Sequence, residues 1–99
     1  MARFALYAHL KARPGKEAQV EEFLKSARPM AQQETGTVTW YAFSEDGASS
    51  YGIFDTFDTE AARQAHLDGP IAKALMSKAA ELFSEPPAIH KIRLLADKH

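Results

Sequence analysis

Between Arg3 and Ala12 the chain alternates, with Phe4, Leu6, Ala8 and Leu10 on one side and Ala5, Tyr7, His9 and Lys11 on the other. That period of two predicts a strand. Arg13-Pro14-Gly15 ends it, and from Lys16 the apolar spacing changes to Val20, Phe23, Leu24, Ala27 and Ala31, with Glu17, Glu21, Glu22 and Lys25 outside the stripe, which predicts a helix. Pro29 falls inside that stripe, where it removes a backbone donor and crowds the carbonyl four residues earlier, so a kink or a loosened last turn is expected. Gly36 is expected to stop the helix. The aromatic and β-branched runs Thr37 to Glu45 and Ser50 to Phe57, joined by Asp46-Gly47-Ala48-Ser49, predict a hairpin. Asp58 or Thr59 can cap a short helix whose apolar side holds Ala62, Ala65 and His66. Gly69-Pro70 breaks it and starts another, with Ile71, Leu75, Met76, Ala79, Leu82 and Phe83 as its buried stripe. Pro86-Pro87 closes that helix, and Ala88 to Asp97 reads as the last strand.

The order strand, helix, strand, strand, helix, strand predicts an α+β fold, a ferredoxin-like βαββαβ sandwich, as one domain over residues 1–99. Helices would cover one sheet face only. The other face is expected to carry Tyr7, His9, Tyr41, Phe43, Ile53 and Leu95, more apolar surface than a monomer leaves in water, so a second sheet should cover it.

Composition narrows the partners. Twelve Lys and Arg against thirteen Asp and Glu give a net charge of −1 with no block of like charge, which argues against nucleic acid and an anionic membrane. No apolar run reaches the roughly 18 residues of a bilayer span, and the N-terminus lacks the pattern of a signal peptide. The absence of cysteine removes disulfides, thiolate metal sites and cysteine nucleophiles, and fits a cytoplasmic setting. Small molecules or proteins are the better partners.

His66 is the candidate catalytic residue, because an imidazole titrates near neutrality and the helix pattern turns this one toward the covered side beside a bend. Trp40, on one face with Val38 and Ala42, and Phe54, beyond the space left by Gly52, could wall a planar substrate, with Ile71 and Leu75 completing the substrate-binding set. His9 shares the interface side with Tyr7. His90 and His99 carry less weight, four dispersed histidines predict no metal site, and Asp55 and Asp58 are expected to be an ion-pair partner and a cap.

The combination of ETG before the second strand, FDTFDTEAA at the end of the third, QAHLDGPIAKAL after it and a short last strand resembles the antibiotic-biosynthesis monooxygenase family, and EAARQAHLDGP is similar to the quinol monooxygenase type. The resemblance implies a homodimeric α/β barrel in which a phenol or quinol is oxidised by dioxygen with no cofactor, neither metal nor flavin. It departs from that pattern in having Ile71 where many relatives carry a second histidine and Phe57 where many carry tryptophan. The asparagine, tryptophan and histidine of the haem-degrading branch fall on Ala8, His66 and Leu75, which disfavours haem chemistry. A non-catalytic dimeric binding module is the alternative reading, and an isomerase or lyase on the same barrel the third.

Overall fold

The structure, a computed structural model, describes residues 3–98; His99 lies outside them. Its elements are β1 (Phe4–Lys11), α1 (Glu17–Gln33), β2 (Thr37–Ser44), β3 (Ser50–Phe57), α2 (Glu60–Leu67), α3 (Pro70–Leu82) and β4 (Ala88–Arg93). The strands form one antiparallel sheet in the order β2-β3-β1-β4, an α+β ferredoxin-like arrangement.

All three helices lie on one face of this sheet, where the alternation of β1 meets the stripes of α1 and α3. Leu10, Val20, Leu24, Tyr51, Ile53, Leu75, Leu82 and Phe83 form the larger buried cluster, and Ala27, Ala31 and Ile71 a smaller one; Trp40 packs against both. Burying a Leu, Ile, Val or Phe side chain contributes about 1.5–3 kcal/mol, so these clusters are the main reason the helices stay docked.

Helix α1 runs through Pro29 to Gln33, with the Glu34 backbone N–H bonded to the Ala31 carbonyl at its end. Three local expectations change. Gly36 has no positive φ and is not a left-handed stop; a Cβ there would meet the Ala62 Cβ at 2.9 Å, so it permits the close approach of α2. Strand β4 ends at Arg93, which leaves Leu95 beyond the sheet at 92% exposure rather than on the interface face.

The third concerns which way β3 faces. Residues opposite each other in a sheet point to the same side. Ile53 stands opposite Ala8 on β1 and Ala42 on β2, so it joins the helix-covered core at 5% exposure. Phe54 stands opposite Tyr7 and Tyr41 and faces away from the helices. The expected places of Ile53 and Phe54 are exchanged, because even positions of β2 pair with odd positions of β3 and a slip of one residue inverts every side chain.

The uncovered face is aromatic. Tyr7 stacks on Phe43 at 6.3 Å between centroids and on His90 at 5.8 Å, with His9 tilted at 6.4 Å. The Phe43 ring lies directly on Gly52, so the space below that glycine is filled by a neighbouring strand and not left for a ligand.

Candidate functional site

The site begins with a cap. Thr59 accepts a hydrogen bond from the Ala62 N–H at 3.0 Å, which fixes where α2 starts and therefore where its last turn points. That turn carries His66 down onto β3, where its ring packs against Phe57 at 5.4 Å. Glu34, just beyond the end of α1, arrives from the other side. Its Oε1 accepts from the Thr37 hydroxyl at 2.8 Å and lies 2.6 Å from His66 Nδ1. Asp55 on β3 puts Oδ2 2.9 Å from His66 Nε2. One imidazole is thus held between two carboxylates brought in by three separate elements.

This geometry sets the charge. Burial pulls the His66 pKa down, but the Asp55 carboxylate and then that of Glu34 outweigh it, leaving the pKa above its ordinary value. A protonated ring carries an N–H on both nitrogens, Nδ1 hydrogen-bonded to Glu34 and Nε2 in ion-pair contact with Asp55. With both carboxylates ionised, the cluster carries one net negative charge. Asp55 is 1% exposed, and neither of its oxygens has a satisfied hydrogen bond among the described residues, Oδ2 meeting His66 Nε2 as an ion-pair contact; Trp40 Nε1 and Glu34 Oε2 are likewise buried without one. The carboxylates face opposite sides of the ring and do not converge, and among the described residues no group of three such side chains could hold a metal ion.

Of the residues expected in the site, His66, Ile71 and Leu75 come together. With Leu6, Ile53 and Asp55 they line a cavity of about 30 Å³, room for one or two waters. Trp40 stands directly opposite Asp55 on the neighbouring strand, and its ring walls an open cleft of about 430 Å³ between α1 and β2, together with Leu24, Arg28 and Tyr51. Tyr51 is anchored there by its hydroxyl, which donates to Glu21 at 2.9 Å. Phe54 is on the opposite sheet face and cannot share a ligand cavity with His66. Glu34 escaped the sequence reading as a site residue, and Asp55 entered it only as an ion-pair partner. The available signal was an acidic residue in the odd series Tyr51, Ile53, Asp55, Phe57, which is otherwise apolar.

Residues 3–78 match the family model described as antibiotic biosynthesis monooxygenase. The chain belongs to that family. Among solved structures, this monooxygenase-family chain is similar to the protein of unknown function NE2512 from Nitrosomonas europaea, at 52% identity and a TM-score of 0.94 over 100% of this chain and 95% of that one. Rv0793 from Mycobacterium tuberculosis shares the fold at 17% identity and a TM-score of 0.86, covering 97% of this chain and 98% of its own. PA3566 from Pseudomonas aeruginosa does so at 18% identity and 0.83, with 97% of each chain covered. No protein in the curated comparison matches. No helix among the described residues is long and apolar enough to cross a membrane.

Proposed function

We propose that this member of the antibiotic biosynthesis monooxygenase family binds a small hydroxylated aromatic molecule between sheet and helices and oxidises it with dioxygen as a cofactor-independent monooxygenase. The observation that carries this reading is the Glu34–His66–Asp55 cluster beside a cavity that Asp55 lines with a buried carboxylate left without a satisfied hydrogen bond. Such a substrate needs a group that takes or holds its hydroxyl proton and a water-poor enclosure for the species that follow. A cavity of about 30 Å³ accepts a hydroxyl but not a ring. The cleft of about 430 Å³ lies within the usual range for small ligands and is the better seat for the aromatic body. Trp40 lines that cleft, packs against the cluster of Ala27, Ala31 and Ile71 and stands opposite Asp55, so a shift of its ring would join cleft to cavity. Ile71 and Leu75 would bound the ligand on the helix side.

The enzyme would work as a homodimer, its uncovered faces of Tyr7, Tyr41, Phe43 and Phe54 packed on those of a second copy, in a cytoplasmic setting compatible with a cysteine-free chain. Oxygen uptake with a panel of quinols tests the activity, and uptake no faster than without protein would count against it. A second reading, a non-catalytic binding module, is favoured by the engagement of both His66 nitrogens, which leaves the ring no free base. It predicts a small molecule retained on the purified protein by native mass spectrometry and no oxygen consumption.

A further inference from the structure

We infer that Asp55, through Oδ1, is the group that accepts the hydroxyl proton of the bound aromatic, and that His66 is a positioning residue which holds that carboxylate in place. This inference rests on the reading above. Of the side chains lining the small cavity, only Asp55 and His66 are polar. His66 spends one nitrogen on Glu34 and the other on Asp55, so a ligand finds no lone pair on it. Both Asp55 oxygens are buried without a satisfied hydrogen bond, but Oδ2 has the His66 imidazole 2.9 Å away, whereas Oδ1 has no such ion-pair partner among the described residues and is the acceptor left for a ligand. Burying an acceptor unpaired is costly, and buried polar atoms in native proteins nearly always find a partner, so the cavity calls for a donor of hydroxyl or water size. Its volume of about 30 Å³ suits such a group.

The step balances with dioxygen as oxidant. The substrate O–H bond breaks as an H–Oδ1 bond forms on Asp55, one electron passes from the aromatic to dioxygen, and the products are an aryloxyl radical, superoxide and a neutral Asp55 carboxyl. One negative charge stands on each side. His66 stays protonated throughout and opposes rotation of the Asp55 carboxyl through its bond to Oδ2.

Two probes and one variant test this. Binding of 4-fluorophenol and 4-fluoroanisole, followed by fluorine NMR, compares ligands that differ in whether they can donate. The wild-type protein should prefer the phenol by about tenfold or more, as a hydrogen bond to a charged acceptor warrants. In Asp55→Asn that preference should collapse while kcat for quinol-dependent oxygen uptake falls by roughly 10²- to 10⁴-fold. Equal affinity of the wild type for the two probes overturns the assignment, and so does a folded Asp55→Asn that keeps its oxygen uptake. Should the variant not fold, the two-probe comparison on the wild type decides alone. Oxygen uptake without preference for the phenol removes Asp55 but leaves the monooxygenase reading standing, whereas a wild type that binds neither probe and consumes no oxygen removes both.

Discussion

Replacing His66 with Ala removes the one cation between two carboxylates. Asp55, at 1% exposure, loses its only cationic neighbour in the cluster, and Glu34, at 17%, keeps the Thr37 hydroxyl as its side-chain partner among the described residues. Removing one partner of a buried ion pair costs about 3–5 kcal/mol, because the remaining charge is left uncompensated. Two effects pull in opposite directions here: the lost contact with Phe57 adds to the cost, whereas water entering the enlarged cavity would partly solvate Asp55. About 3 kcal/mol is the resulting expectation. For a domain of this size it corresponds to a fall in Tm of roughly 12–24 °C, and it should appear as a lower urea midpoint with an unchanged slope. The cycle with Asp55→Ala isolates the cause, since the double variant should be clearly more stable than the sum of the two single losses implies. A loss below about 1 kcal/mol, or strict additivity with Asp55→Ala, would refute the view that the imidazolium holds this junction together.

The wild type should also lose stability as pH rises. The folded His66 pKa is raised, so its contribution is full below the unfolded value of about 6.5 and is lost through the higher folded value; the slope should reach at most about 1.4 kcal/mol per pH unit, and His66→Ala should lack it in urea titrations at pH 6 to 8. Ile53→Asp puts a carboxylate into the core and should unfold the protein outright, whereas Tyr41→Asp, at a position 59% exposed on the uncovered face, should leave the fold intact and convert a sedimenting dimer to monomer. A Tyr41→Asp protein that still sediments as a dimer would move the interface elsewhere. Gly52→Ala drives a methyl into the Phe43 ring and should cost about 1–3 kcal/mol, with much of the loss recovered in a Phe43→Leu background, as read by thermal melting.

The elements were legible because each rests on local chemistry: the period of two in Phe4, Leu6, Ala8 and Leu10, the hydroxyl of Thr59 at a helix start, and Pro70 at the first turn of α3. The facing of β3 was not, because SYGIFDTF is apolar or small on both sides apart from Asp55, and only its pairing with β1 and β2 decides which side is in. The site shows the same division. His66 stood out through its helical face, but Glu34 is 32 residues away at the end of another helix, and nothing local to ETG marks it as a partner. Asp55 was detectable in principle. An acid in an otherwise buried series requires a cation, and the following helix buries two, Arg63, which donates to the Ala5 and Ile92 carbonyls, and His66.

The Glu34–His66–Asp55 junction also bears on how long the folded chain lasts. Its members come from the end of α1, the middle of β3 and the last turn of α2, so no two of them meet until helix and sheet have docked. An interaction absent from the rate-limiting ensemble leaves the folding rate alone and acts on the escape rate. Raising the pH through the His66 titration should therefore steepen the loss of native molecules in stopped-flow unfolding while refolding proceeds at nearly the same speed. The junction is thus expected to act as a latch on the folded chain, slowest to release while His66 is protonated.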